Sequence, residues 1–214
     1  MEQPLARALA AVLDEIAAVA IPAPGDQPVP AAVLVGLDAP ADLARPRDAL
    51  GEIRVVLTKR RADLRRHAGE ISFPGGRWEA ADGSLCETAL REVEEEIGLP
   101  ASEVTPVGAL SVVNTFVTNY AIQPFVGLVE LAQRPPHTAS EGSGRGPRWH
   151  TSAHEVDEVL ELTLAEIDAG RGSTELERRG VRFSTDTFTV GTNVIWGATF
   201  RILEDLLARL RANA

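Results

Sequence analysis

Cysteine is nearly absent from this 214-residue chain. Cys86 stands alone, so no intramolecular disulfide can form and no cluster of thiolates can hold a metal. Long apolar runs are missing too. None approaches the roughly 18–20 residues that a membrane-spanning helix requires, and the acidic start Met1-Glu2-Gln3 leads into an Ala/Leu pattern without the architecture of a cleavable signal. Positive charge is scarce overall, 21 basic residues against 31 acidic for a net charge of −10. That balance disfavours broad electrostatic binding to nucleic acid or to anionic lipid. No internal repeat is evident. With 44% hydrophobic and 24% charged residues the composition is that of an ordinary globular domain. The expectation is a single cytoplasmic domain; whether it pairs into a homodimer is left open.

Local patterns place the elements. Leu5, Ala8, Leu13 and Ile16 have helical spacing, and a Pro/Gly-rich connection closes this N-terminal segment near residue 30. The main domain is expected over 31–214. Its strand candidates are 32–37, 53–58, 107–113, 120–129 and 181–190. Helices are predicted over 84–97, where Gly98 and Pro100 stop the run, over 162–169 and over 194–210. Residues 132–153, polar and rich in Pro, Gly and Ser, read as a mobile insertion. The fold class is α/β, one domain in which strands and helices alternate.

The densest chemistry is Arg91-Glu92-Val93-Glu94-Glu95-Glu96-Ile97-Gly98-Leu99. On a helix Glu92, Glu95 and Glu96 share a face, and Val93 and Ile97 share the one turned to the core. Gathered carboxylates repel one another, and the last turn of a helix disfavours anions. A helix selected only for stability would carry Lys or Arg there. An acidic face alone is more often a solvated surface than a ligand set. Here, however, Gly75-Gly76 lies upstream, where backbone can approach a ligand unobstructed, and hard cations such as Mg²⁺ or Mn²⁺ take oxygen ligands of this kind.

Gly76 to Leu99 resembles the Nudix box, G-x5-E-x7-R-E-U-x-E-E-x-G-U with U apolar. Gly76, Arg91, Glu92, Val93, Glu95, Glu96, Gly98 and Leu99 match it. Two positions depart: the first acidic residue is Asp82, and eight residues rather than seven separate it from Arg91. The resemblance implies a Nudix-type α/β/α sandwich with a mixed sheet. It also implies hydrolysis of a diphosphate linkage with Mg²⁺ or Mn²⁺ held by Glu92, Glu95, Glu96 and the Gly76 carbonyl. Arg91 would orient the carboxylates. Glu155 or Glu158, in His154-Glu155-Val156-Asp157-Glu158, would supply a base or a further ligand, Glu155 being preferred; a solvated acidic loop is the alternative for both.

The segment upstream of the box narrows the substrate. From Leu57 to Gly76 it resembles the extension of coenzyme A diphosphatases, L-L-T-x-R-[SA]-x3-R-x3-G-x3-F-P-G-G. Thr58, Arg60, Arg65, Gly69, Phe73, Pro74, Gly75 and Gly76 match, and Arg61 replaces the small residue. Between Lys59 and His67 five basic residues face one acidic residue. Such a run is commonly a solvated face. Within this resemblance, Arg60 and Arg65 become candidates for binding the phosphates of coenzyme A or an acyl-coenzyme A. Two alternatives stand beside it: a Nudix enzyme for ADP-ribose or a nucleoside triphosphate, and a non-catalytic module of the same fold.

Overall fold

The protein is described here from a computed structural model covering residues 4–20, 22–23, 25–40, 42–63, 69–115, 118–131, 149–178 and 180–212. The elements run in the order α1 (Pro4–Ala10), β1 (Val29–Asp38), β2 (Arg54–Arg60), β3 (Ile71–Ser72), β4 (Gly75–Arg77), α2 (Leu85–Ile97), β5 (Val104–Ala109), β6 (Val113–Asn114), β7 (Tyr120–Val129), β8 (Val156–Thr163), α3 (Leu164–Ala169), β9 (Arg171–Arg178), β10 (Val181–Val190), β11 (Asn193–Trp196) and α4 (Gly197–Ala212).

β1 and β7 form the spine of the larger sheet. They pair in parallel from Val29↔Tyr120 to Leu37↔Leu128, while the other pairings in that sheet are antiparallel, so the sheet is mixed. Alternation along each strand sends successive side chains to opposite faces. From β1, Ala32 and Leu34 pack toward α2, whereas Val35 and Leu37 pack toward α1, α3 and α4. β2 divides likewise, with Val56 on the α2 side and Val55 and Leu57 on the other. Two apolar cores on the two faces of one sheet make an α/β/α sandwich, as expected. No helix among the described residues is long and apolar enough to cross a membrane.

Several local expectations need correction. The N-terminal helix ends at Ala10, because the chain then turns and Asp14 bridges to Ala109 at the sheet. The connection expected to reach residue 30 already forms strand by Val29. Residues 156–163 form β8 along β2, taking up the end of the 154–158 stretch for which a solvated loop is the alternative and the first two residues of the helix expected from 162, which begins at Leu164. Residues 193–196 form β11 before α4 begins. Trp196 is only partly buried; it packs against Phe183 and beneath the Arg178 guanidinium. Residues 132–148 lie outside the described residues. At 149–153 the expected mobile insertion is instead anchored, since Trp149 is buried and its indole N–H donates to Glu161 at 3.0 Å.

Candidate active site

α2 carries most of the candidate residues. Its N-terminus is set locally: the Ser84 hydroxyl accepts the Glu87 amide at 3.2 Å, and the Thr88 hydroxyl donates to Asp82 at 2.9 Å. Leu85, Ala89, Val93 and Ile97 are buried against the sheet, which turns Arg91, Glu92 and Glu95 away from the core. The C-terminus is finished from a distance. The carbonyls of Glu96 and Ile97 accept the amides of Ser152 at 2.8 Å and His150 at 3.1 Å, which supplies partners that a helix end otherwise lacks. Gly98, left-handed with φ 65°, closes the helix through its amide on the Glu94 carbonyl.

β4 presses glycine backbone onto this helix. A Cβ at Gly76 would lie 2.3 Å from the Glu92 carboxyl carbon, and one at Gly75 would lie 2.3 Å from the Ala32 carbonyl oxygen. Any side chain there would expel the carboxylate or part the strands, which is the physical reason for two glycines. The Gly75 amide donates to Glu96 Oε2 at 3.3 Å. Burial raises the Glu96 carboxyl to about 7 against the opposing pull of that amide and of Arg60. Burial also raises Glu92, opposed by Arg91.

Arg91 is the hub of the cluster. Its Nε and Nη2 hold the two oxygens of Asp82 at 3.0 and 3.1 Å, while Nη1 reaches Glu92 at 3.0 Å and Glu95 at 3.2 Å. The residue added between Asp82 and Arg91 therefore leaves their pairing intact. Asp82 is buried, and its hydrogen bonds from Arg91 hold its carboxyl below the usual range. Three candidate carboxylates share the helix but not one environment: the side chains of Glu96 and Glu92 are 8% and 18% exposed and that of Glu95 is 59% exposed.

Arg60 closes the other side. A register shift between Lys59 and Arg60 aims its side chain at the helix, where its guanidinium lies 3.9 Å from Glu96 and 3.5 Å from Glu155. Among the described residues the buried Arg60 Nε meets no hydrogen-bond acceptor. Of the two candidate bases, Glu155 joins the cluster with a half-exposed side chain, whereas Glu158 is exposed on β8 opposite Lys59. Arg65 lies outside the described residues. Sequence reasoning passed over the Ser152 and His150 amides and the contacts of Arg61; backbone donors leave no compositional trace.

The donor set suits a hard divalent cation. Glu92 and Glu96 are carboxylates that burial disfavours as anions, and they lie against the glycine backbone of β4. Among the described residues no three acidic, histidine or cysteine side chains close on a single point. Arg91 and Arg60 draw the carboxylates instead, so cation binding would require those pairings to rearrange.

Comparison with known proteins agrees with this geometry. A NUDIX domain model matches residues 40–173. The chain is 34% identical over 158 residues to a Cronobacter sakazakii protein described as an uncharacterized Nudix hydrolase, NudL, covering 73% of this chain and 74% of the relative. The Pectobacterium atrosepticum protein of the same description is 32% identical over the same shares. Among solved structures, a Nudix hydrolase from M. smegmatis, RenU, superposes with a TM-score of 0.50 at 14% identity, covering 86% of this chain and 84% of that one.

Proposed function

The chain belongs to the Nudix hydrolase family, and from that premise we propose that it hydrolyses the diphosphate linkage of coenzyme A or an acyl-coenzyme A. The products are 3′,5′-ADP and 4′-phosphopantetheine or its acyl form. The observation that carries this reading is continuity. The basic segment matching the coenzyme A diphosphatase pattern runs directly into Gly75-Gly76, and its Arg60 approaches Glu96, the carboxylate that the Gly75 amide also holds.

In this reading Glu92, Glu95, Glu96 and the Gly76 carbonyl hold Mg²⁺ or Mn²⁺. A bound divalent cation polarises phosphoryl oxygens and lowers the pKa of the attacking water. Arg91, tied to Asp82, keeps Glu92 and Glu95 in place. Glu155 takes the proton as the water oxygen bonds to phosphorus and the bridging phosphorus–oxygen bond breaks. Arg60 and Arg65 meet the substrate phosphates; for Arg60 this means leaving its present carboxylate partners.

A substrate panel with Mg²⁺ and Mn²⁺, products identified by mass, tests the assignment. Coenzyme A should be cleaved in preference to ADP-ribose and nucleoside triphosphates. If Arg60 reads the 3′-phosphate, Arg60→Ala should lower kcat/KM for coenzyme A by roughly ten- to hundredfold more than for dephospho-coenzyme A. Equal losses would place Arg60 on the diphosphate or in the framework. A second reading, another nucleoside diphosphate derivative as substrate, is favoured by Arg61. It replaces the small residue of the pattern and spans to the Ala153 carbonyl, altering the wall beside Arg60. Preference for ADP-ribose would select that reading and leave the carboxylate cluster unaffected.

A further inference from the structure

Glu155 sits on a tight turn whose Ser152 carbonyl accepts the amides of both Glu155 and Val156 at 3.0 Å. Arg61 grips that turn twice. Its main-chain amide donates to the Glu155 carbonyl at 3.0 Å, and its side-chain Nη1 donates to the Ala153 carbonyl at 2.8 Å. The direction of the side chain is set by Asp63, whose two oxygens accept Nε and Nη2 at 2.9 and 2.8 Å and leave Nη1 for Ala153. An exposed ion pair of this kind contributes little stability by itself. Its effect is to aim the third nitrogen of a rigid planar fork.

We propose that Arg61 is a positioning residue: it straps the 152–156 turn to the end of β2 and thereby holds the Glu155 carboxylate at the edge of the site, beside Arg60. The inference rests on the reading of Glu155 as proton acceptor. The turn is fastened on one side by the Ser152 amide on the Glu96 carbonyl and on the other by Arg61. Without the side-chain strap the turn keeps only main-chain bonds, the Ser152 amide on Glu96 and the Arg61 amide on Glu155, and the Glu155 side chain, already half exposed, can drift outward from Arg60. Arg61 acts only through Glu155; the charge it carries is not the operative feature. Lysine keeps that charge but cannot hold the Asp63 fork and the Ala153 carbonyl together.

The experiment is a double-mutant cycle of Arg61→Ala and Glu155→Gln in the full chain with saturating Mg²⁺, using coenzyme A and ADP-ribose as separate probes, with amide hydrogen exchange on each variant. Glu155→Gln should lower kcat by roughly 10²–10⁴-fold, the range for a general base. Arg61→Ala should lower kcat by about three- to thirtyfold, a coupling of the size seen between contacting residues, with KM nearly unchanged and faster exchange confined to 153–156. In the Glu155→Gln background it should cost nothing further. Arg61→Lys should behave as Arg61→Ala, and it carries the test if the alanine variant fails to fold. The same loss in both backgrounds, unchanged exchange, or full activity in the lysine variant would overturn the positioning role while leaving Glu155 as the base. Normal kcat in Glu155→Gln would overturn the base assignment and this inference with it. Exchange at 153–156 separates that outcome from a strap that does not hold.

Discussion

Two arginines serve as hubs in this molecule, and they do different things. Arg91 joins Asp82, Glu92 and Glu95 at α2. Arg209 joins Asp205 and Asp14 at 3.0 Å, together with the Ser111 hydroxyl and the Val12 carbonyl, and so clasps α4 to the chain that follows α1. Their partner lists are alike; their surroundings are not. Arg91 holds Asp82 below the usual range, yet burial still raises its second partner Glu92, and one turn along the helix Glu96, which Arg60 rather than Arg91 approaches, is raised to about 7. Beside Arg209, Asp205 is held below the usual range because the hydrogen bonds from Ser111 and Arg209 outweigh the desolvation that burial imposes. Where hydrogen bonds outweigh desolvation, as at Asp205 and Asp82, the network is satisfied and holds structure; where burial keeps the acid raised despite its arginine, as at Glu92 and Glu96, a cation has reason to bind.

The largest effect expected from this contrast is on Glu92 and Glu96. Glu92→Gln and Glu96→Gln should each lower kcat by roughly 10²–10³-fold at saturating Mg²⁺, since metal stabilisation of the transition state is worth several kcal/mol. Stability should move the other way. The folded Glu96 carboxyl, at about 7, lies above its unfolded value. The fold therefore loses stability as pH rises through the window between those two values, and the loss is complete above the folded one. Metal-free Glu96→Gln should melt above wild type at pH 8, and the gap should close in acid. Melting curves in EDTA at the two pH values decide it.

Next come the hubs themselves. Arg91→Ala should lower kcat by roughly ten- to hundredfold, because charge-assisted hydrogen bonds of about 1.5–3 kcal/mol each hold the carboxylates. Arg209→Ala should keep kcat within about twofold yet lose about 1–2 kcal/mol of stability, seen as a Tm lower by roughly 2–8 °C. Activity and Tm measured on both variants test the distinction directly; a reversed pattern would abolish it.

The smallest effect concerns Asp82. Its folded pKa lies below the unfolded value, so its pairing stabilises the fold above the ordinary Asp range near about 4 and that stabilisation is lost as pH falls through the folded value. Asp82→Asn should be less stable than wild type at neutral pH, with the difference shrinking below about pH 4. A constant difference across that range would separate Asp82 from any charge role.

Much of this was legible from residues alone where the governing contacts are local. The bounds of β7 match the apolar run that marks it, those of β10 match the strand expected over 181–190, and α2 begins and ends at its Ser84 and Gly98 signals. Glu92 and Glu96 were placed by spacing. Glu95 separates from them in exposure, because rotation about the helix carries it past the rim of the sheet, a matter of packing rather than periodicity. β8 escaped notice because Asp157 and Glu158 are exposed on a strand that, among the described residues, pairs with β2 alone, and in sequence they resemble a solvated loop. β9, Arg-Gly-Ser-Thr-Glu-Leu-Glu-Arg, offers no apolar face, since it is the outer strand of the small sheet. Arg61 read as a departure inside a motif; its contact with Ala153, 92 residues away, exists only in the fold.

The way the chain is pinned on either side of residues 132–148 bears on engineering. Leu131 is buried, its amide on the Asp38 carboxylate at 3.0 Å, and Trp149 is buried with its indole on Glu161. Trp149 stands one residue before His150, whose amide donates to the Ile97 carbonyl at the end of α2, so an engineered change at this mooring would reach the C-terminus of the helix that carries Glu92 and Glu96.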